Sequence, residues 1–285
     1  MPDAVRIDDL VIARATPGEW AAVVDWAAAE GWNPGARDLT AFFAQDPDGF
    51  FLGRVNGEPA TAVSVVNYGD EFAFLGFYLV RPDLRGRGFG LATWEAGLKH
   101  AGDRVVGLDG VPDQQDNYRR SGFELAYGSA RFIGVPRLPL PDNSVTALAP
   151  ADFAVLHPYD SACHPADRPN FLTAWLNEPG HRTFARIVDG TVTGYATLRP
   201  ARESLRVGPL FADTPADARQ LLAALAAHAA GMPLAVDVPL DNEAAVRLME
   251  EAGLRPSFET ARMYTGPVRP YARERVFGVT TLELG

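Results

Sequence analysis

Two hairpin signals, at matching places in the two halves of the chain, constrain the fold more than any other feature of the sequence. Asn56-Gly57 joins two apolar runs, and Asp189-Gly190 joins two similar runs further on. Asn-Gly and Asp-Gly favour tight two-residue turns, because both turn positions require a positive φ angle. The sequence therefore predicts that one structural plan occurs twice.

Aligning the halves on these turns also places Pro82 over Pro215, each just before a helical pattern. A proline-rich stretch at residues 135–143 lies between the halves and has the composition of a semi-rigid linker. Strand and helix patterns alternate on both sides of it. We therefore expect an α/β chain of the mixed α+β kind, with one domain at residues 1–137 and another at 138–285. Two unrelated domains with similar hairpins are the alternative.

Composition and charge exclude several classes of protein. Hydrophobic residues make up 47% of the chain and charged residues 22%, which are globular values, and no apolar run is long enough for a membrane span. The net charge of −10 argues against nucleic acid as a partner and is compatible with a cationic amine. Because Cys163 is the only cysteine and residues 1–6 lack a signal-peptide pattern, we expect a cytoplasmic protein. His157, Cys163 and His164 match no zinc spacing, so no metal is expected.

A glycine-rich turn follows an apolar run at residues 74–80 and precedes a helical pattern that begins near residue 89. Its sequence is Arg85-Gly86-Arg87-Gly88-Phe89-Gly90. Glycines let a backbone approach a diphosphate closely, and the positive end of the helix attracts the phosphate oxygens. The turn contains neither the dinucleotide-binding glycine pattern nor a Walker phosphate loop. It predicts a phosphate site of another kind.

This turn resembles the acyl-CoA pyrophosphate signature of the GNAT superfamily of N-acetyltransferases. A second motif, Asn117-Tyr118-Arg119-Arg120-Ser121-Gly122-Phe123, is similar to the Tyr-x-x-x-Gly-Phe segment of that superfamily. The whole chain looks like a bacterial subgroup of tandem GNAT proteins, whose second GNAT-like domain is divergent. The resemblance implies an acetyl-CoA-dependent N-acetyltransferase with two GNAT-like domains, each a twisted mixed sheet flanked by helices.

The resemblance also implies which residues bind the cofactor. We expect the end of the apolar run, the glycine-rich turn and the residue before Tyr118 to hold acetyl-CoA. These are Tyr78, Leu79, Val80, Arg85, Gly86, Arg87, Gly88, Phe89, Gly90 and Asn117.

Direct attack of an amine on a thioester requires an acid for the leaving thiolate and a means of deprotonating the amine. The motif implies Tyr118 as the general acid, although a core aromatic would satisfy the same pattern. For the base we expect Asp109, at the end of the penultimate strand of the first half, although Leu-Asp-Gly is also a common turn composition. Glu30 and Asp38 are the alternatives.

The segment between Glu30 and Asp38 contains Trp32 and Asn33, which we expect to bind the acceptor. Trp32 is equally suited to covering a hydrophobic core beside a turn.

The second half lacks both motifs. In the hairpin alignment the glycine-rich turn falls on residues 218–223, which contain no glycine. Aligning Gly122 with Gly253 places Tyr118 over Met249, which has no proton to donate. We therefore expect one cofactor per chain, in the first half.

The expected acceptor is a primary amine, on a small molecule or a peptide end. A protein that binds or senses acyl-CoA without turnover is the alternative, and transfer of a larger acyl or aminoacyl group is a third possibility. We expect a monomer or a homodimer, because the two halves can make within one chain the contacts that single-domain relatives make as dimers.

Overall fold

The computed structural model describes residues 6–285, and for Asp8 it describes the backbone alone. Across these residues the chain forms one 13-stranded sheet. Its strands are β1 (Leu10–Arg14), β2 (Phe50–Val55), β3 (Glu58–Tyr68), β4 (Phe72–Val80), β5 (Val105–Gly110), β6 (Glu124–Gly134), β7 (Val145–Ala147), β8 (Arg182–Val188), β9 (Thr191–Pro200), β10 (Leu205–Ala212), β11 (Leu234–Pro239), β12 (Arg255–Tyr264) and β13 (Val276–Gly278). The α-helices over the same residues are α1 (Pro17–Ala29), α2 (Leu39–Gln45), α3 (Phe89–Ala101), α4 (Gln115–Arg120), α5 (Phe153–Ala162), α6 (Pro169–Asn177), α7 (Pro215–Ala229) and α8 (Glu243–Glu251).

The second half repeats the plan of the first. The order of strands and α-helices from β1 to β6 recurs from β7 to β12, which confirms the predicted mixed α/β fold class. Both hairpins turn where the sequence predicts, with φ angles of 52° at Asn56 and 50° at Asp189. The glycines that follow them, Gly57 and Gly190, also have positive φ angles.

Helices cover both faces of the sheet in the first half. Alternate residues of β3 pack on opposite sides, since successive side chains of a strand point to opposite faces. Ala62 and Val66 belong to the core shared with α1 and α2, whereas Val63 and Val65 pack with Trp94 of α3. This layering leaves the end of β4 next to the start of α3.

The two halves exchange their last strands. The sheet runs β1-β2-β3-β4-β5-β12-β6-β11-β10-β9-β8-β7, so that β12 of the second half lies between β5 and β6. Strand β6 of the first half pairs in turn with β11 of the second. Each half is therefore completed by a strand from the other. The proposed division at residues 137 and 138 falls after β6 and separates the halves in sequence only.

Strand β4 diverges from β5 partway along its length. The two strands pair in parallel from Phe72 with Val105 to Leu75 with Leu108, and β4 then continues alone on that side. On the other side the pairing of β4 with β3 shifts register between Ala62 and Ser64, where Phe77 has a φ angle of 46°. Packing of the Phe77 ring against Trp20, with centroids 5.8 Å apart, helps to hold this uncommon conformation. The divergence opens a cleft at the carboxyl end of β4.

The corresponding cleft of the second half is filled by the chain itself. Strand β10 pairs with β11 only from Leu205 to Val207, and β13 then pairs with β10 at Leu210 and Phe211. The Val279 amide donates to the Asp237 carbonyl oxygen at 2.9 Å, which fixes the segment after β13. The second half therefore has no open cleft at this place within residues 6–285.

Two further observations concern the described part of the chain. No helix within residues 6–285 is long and apolar enough to cross a bilayer. The same residues contain no group of three or more His, Cys, Asp and Glu side chains arranged to hold a metal ion. The expected absence of a signal peptide depends largely on residues 1–5, which lie outside the described range.

Candidate active site

The glycine-rich turn leads directly into the N-terminus of α3. Gly86 and Gly88 have φ angles of 74° and 86°, a region that glycine adopts without steric cost. Gly88 is the N-cap residue, so no side chain covers the first amides of the helix, and its first turn carries no acidic residue. The positive end of the helix is thus open to an anion.

Residue Gly90 lets α3 approach the end of β4 closely. A methyl group at this position would lie 2.6 Å from the Tyr78 hydroxyl oxygen and 2.8 Å from Cγ2 of Val80. The Tyr78 ring packs edge-on against Trp94, with centroids 5.0 Å apart. Sequence and packing therefore place the turn, β4 and α3 around one space.

That space is a cavity of about 660 Å³ at the point where β4 and β5 diverge. Most of the cofactor residues predicted from the sequence line this cavity, namely Tyr78, Leu79, Val80, Arg85, Gly86, Gly88, Gly90 and Asn117. The predicted residues Arg87 and Phe89 do not line it. Phe89 is buried against Leu84, because it faces the core rather than the cavity, and Arg87 is exposed to solvent.

Arg85 is held at the mouth of the cavity. Its Nε donates to the Val80 carbonyl oxygen at 3.0 Å, and its guanidinium forms an ion pair with Glu30 at the end of α1. Glu30, one of the alternative bases, is therefore engaged by a cation and partly exposed. Asp38, the other alternative, lies off the cavity in a buried ion pair with Arg199.

Tyr118 lies on the wall of the cavity next to Trp94. The two rings stack with centroids 5.4 Å apart and planes 16° from parallel. Close packing against Gly110 fixes the ring, because a methyl group there would lie 2.8 Å from Cδ2 of Tyr118. Burial, with a smaller contribution from Tyr78, raises the pKa of the Tyr118 hydroxyl. The phenol is therefore protonated at neutral pH and available as a donor.

Asp109 lines the cavity, but its carboxylate is engaged. Arg262 of β12 lies directly across from it and donates from Nε and Nη2 to its two oxygens, at 2.9 and 2.7 Å. Burial raises the pKa of Asp109, while the Arg262 guanidinium acts in the opposite direction. A carboxylate bound at both oxygens has little freedom to accept a proton from an amine, and this pair joins the two halves instead.

Trp32 and Asn33 have different surroundings. Trp32 lines the cavity, and its carbonyl oxygen accepts from Arg131 at 2.6 Å. Asn33 does not line the cavity, because its side chain is turned towards the second half. There its Nδ2 donates to Ser204 Oγ at 3.2 Å and its Oδ1 accepts from the Arg202 amide at 3.2 Å.

The second half contributes four lining residues that the sequence does not predict. Phe258 and Thr260 come from the exchanged strand β12, and Leu282 and Glu283 come from the turn that follows β13. No motif marks them, because their position depends on how the second half packs against the first. The cavity thus has one wall with the predicted cofactor residues and another wall from the opposite half.

The turn that carries Glu283 packs against Gly76 of β4. A methyl group at Gly76 would overlap the Glu283 carbonyl oxygen. We predict that Gly76→Ala lowers the free energy of unfolding by about 1–3 kcal/mol, because the strand and the turn must separate. Urea unfolding measures this change. Gly18→Ala is the control, since its added carbon meets no atom within 4 Å; equal stability of the two variants would contradict the prediction.

The described residues of the second half contain no equivalent of the glycine-rich turn. The residues aligned with the glycine-rich turn lie within the continuous helix α7, and Ala218 and Leu221 are fully buried there. Met249, aligned with Tyr118, is also fully buried. The glycine-rich turn and the tyrosine are thus confined to one half of the repeat.

Comparisons with known proteins agree with this architecture. Residues 19–123 match the acetyltransferase (GNAT) family model, and residues 156–278 match a second acetyltransferase (GNAT) domain model. The holothin acyltransferase of Pseudoalteromonas sp. (strain SANK 73390) is 35% identical over 270 residues, which cover 94% of this chain and 92% of that protein.

Solved structures share the fold at low sequence identity. The crystal structure of a Pyrococcus horikoshii protein assigned to the acetyltransferases has a TM-score of 0.83 at 20% identity, covering 100% of this chain and 99% of that one. A tandem GNAT protein from the clavulanic acid biosynthesis pathway has a TM-score of 0.61 at 17% identity, covering 90% and 99%.

A mixed sheet with diverging strands, a glycine-rich turn at a helix N-terminus and a cavity between them define an acyltransferase of the acyl-CoA-using kind. The family matches and the relative with 35% identity show the family itself. The chain belongs to the GNAT acetyltransferase family and contains two GNAT domains.

Proposed function

We propose that the chain transfers an acetyl group from acetyl-CoA to the primary amine of a small molecule, with Tyr118 as the general acid. The observation that carries this proposal is the position of Tyr118 on the wall of the cavity that the glycine-rich turn opens into. The similarity to the holothin acyltransferase supports a small-molecule acceptor, and holothin is the first compound to test.

In this mechanism the amides of Gly86, Gly88 and the first turn of α3 bind the pyrophosphate of the cofactor. The thioester lies where β4 leaves β5, so that free backbone N–H groups of β4 polarise its carbonyl. The amine attacks the carbonyl carbon, the C–S bond breaks, and Tyr118 gives its proton to the sulfur. The raised pKa of Tyr118 keeps that proton in place until the thiolate forms.

The test is release of free CoA thiol from acetyl-CoA over a panel of amines that includes holothin. We expect amine-dependent release and an acetylated product of the expected mass. Longer acyl-CoAs in the same assay show whether acetyl is the preferred group. Tight binding of acetyl-CoA without turnover on any amine would instead support an acyl-CoA-binding or sensing protein.

The glycine-rich turn gives a separate prediction for cofactor binding. Gly88→Val places a β-branched residue at a φ angle of 86°, which costs about 1–2 kcal/mol and turns the helix amides away from the phosphate. We expect the Kd for acetyl-CoA to rise roughly tenfold in isothermal titration calorimetry.

The control is Gly102→Val, at the other end of the same helix, where the φ angle is 59°. It places the same β-branched residue at another positive φ angle, far from the turn, and should leave the Kd unchanged. Equal Kd values for wild type and Gly88→Val would place the pyrophosphate elsewhere.

A further inference from the structure

Four carboxylates line the cavity among the described residues, and they have different environments. Asp109 is bound at both oxygens by Arg262, and Glu30 is ion-paired with Arg85 at the mouth. Asp113 is exposed on the short turn before α4. Glu283 is the fourth, and only 3% of it is exposed.

Glu283 carries a buried oxygen that has no hydrogen-bond partner among residues 6–285. This atom is Oε2. An unsatisfied buried carboxylate is costly, so such a group in a cavity wall points to a ligand that it binds. The turn that carries it is fixed, because the Leu284 carbonyl oxygen accepts from the Tyr68 hydroxyl at 2.9 Å.

The charges behind Glu283 come from several elements. Arg206 of β10, Arg199 of β9 and Arg131 of β6 face it, together with Asp38. Burial and the charge of Asp38 raise the pKa of the Glu283 carboxyl, and the three guanidinium groups lower it. Burial is the largest influence, so the pKa is raised overall. Asp237 binds two of these arginines and Asp38 binds the third, so each arginine already has an acidic partner.

The neighbouring wall of the cavity is apolar and partly aromatic. Phe258 lines it, and the Arg131 guanidinium lies 5.3 Å from the ring centroid. Trp32 and Leu282 lie on the same cavity. This wall suits a ligand whose apolar part is flat. A second positive charge on the ligand would find no other buried carboxylate free of an ion pair among the described residues that line the cavity.

From these positions we infer that Glu283 binds the ammonium group of the acceptor and removes a proton from it, and that the acceptor is a small amine with one positive charge and a flat apolar body. This inference rests on the proposed acyl transfer. It makes the second half part of the active site, since Glu283 comes from the turn after β13 and completes a site whose cofactor loop belongs to the first half.

The proton balance of the step is complete. Glu283 takes one proton from the ammonium and passes it to water, and the neutral nitrogen then adds to the carbonyl carbon to form the C–N bond. As this tetrahedral intermediate collapses, the C–S bond breaks and the nitrogen loses a second proton, which balances the proton that Tyr118 gives to the thiolate. The products are the amide, free CoA and one proton.

The test compares wild type, Glu283→Gln and Glu283→Asp in the thiol-release assay across pH, using the best amine of the panel. For Glu283→Gln we expect kcat/KM to fall on the order of 10²-fold at neutral pH, with loss of the acidic limb of the pH profile. The Kd for acetyl-CoA should stay unchanged. Glu283→Asp keeps the charge and should retain the acidic limb with a smaller loss of kcat/KM.

Glu259→Gln is the matched control, because Glu259 lies on β12 between Phe258 and Thr260 but is exposed to solvent. It should behave as wild type. If Glu283→Gln fails to fold, two other measurements test the inference. They are the kinetics of Glu283→Asp across pH and the preference of wild type for singly charged amines over polyamines.

The two proposals fail in different ways. Wild-type protein that turns over no amine contradicts the acyl-transfer proposal itself. Wild-type turnover combined with unchanged kcat/KM and pH profile in the Glu283 variants, or faster turnover of polyamines than of flat monoamines, would overturn only this inference.

Discussion

Replacing Tyr118 by phenylalanine is expected to lower kcat for acyl transfer by roughly 10²- to 10⁴-fold, the usual contribution of a positioned acid. Without the phenol the leaving thiolate loses the proton donor that the mechanism assigns to it. The ring contacts with Trp94 and Gly110 remain, so the fold and the acetyl-CoA site should be preserved. Steady-state kinetics at saturating acetyl-CoA, with calorimetry for its Kd, measure the two effects separately.

Tyr78→Phe is the matched control for this prediction. Tyr78 lines the same cavity and packs on the same Trp94 ring, and burial raises its pKa as well. Its hydroxyl lies beside Gly90 at the start of α3, which places it on the cofactor side. We expect a much smaller loss of kcat. A Tyr118→Phe enzyme with the wild-type rate would remove Tyr118 from the mechanism.

Replacing Asp237 by asparagine is expected to destabilise the protein by about 3–5 kcal/mol, because two buried arginines lose their counter-ion. Arg131 Nε donates to Asp237 Oδ1 at 2.8 Å, and Arg206 forms an ion pair with the other oxygen. Arg131 belongs to β6 and Asp237 to β11, so the pair also joins the exchanged strand to its host half. Urea unfolding at neutral pH measures the loss.

The sign of the pH dependence follows from the pKa of Asp237. Burial tends to raise this pKa, but Arg131 and Arg206 together lower it below the ordinary value. The stabilisation is therefore present at neutral pH and is lost as the pH falls through the pKa of the folded state. The difference between wild type and Asp237→Asn should shrink in acid.

An exposed pair serves as the control for the buried one. Glu243 and Arg247 form an ion pair at 3.1 Å on the surface of α8, where solvent screens the interaction. Glu243→Gln should leave the unfolding midpoint nearly unchanged. An Asp237→Asn variant as stable as wild type would contradict the prediction, because other groups would then compensate the charges of the two buried arginines.

The sequence predicted those features that depend on local chemistry. Turn residues with positive φ angles predicted both hairpins, and the glycines before α3 predicted a tight turn at the start of that helix, since few other residues tolerate those conformations. The same logic identified the loss of the turn in α7, where Ala218 and Leu221 are core residues. Such predictions depend only on residues that are close together in the sequence.

The acceptor side of the cavity could not be predicted, because it depends on which half each terminal strand joins. Strands β6 and β12 occupy equivalent positions in the repeat, so their patterns fit either neighbour. Asp109 shows the consequence: from sequence it is a free acid at a strand end, but β12 brings Arg262 opposite to it. Asn33, which was expected to bind the acceptor, contacts residues of the second half instead of lining the cavity.

The exchange of β6 and β12 also determines when the sheet of the first half is completed during synthesis. Strand β5 has one edge that only β12 covers, and β12 ends at Tyr264, near the end of the described chain. A nascent chain that has just completed Gly134 therefore holds the glycine-rich turn and Tyr118 beside an open sheet edge. Unpaired edges invite association with other chains, so synthesis of β12 removes one place where such association could begin.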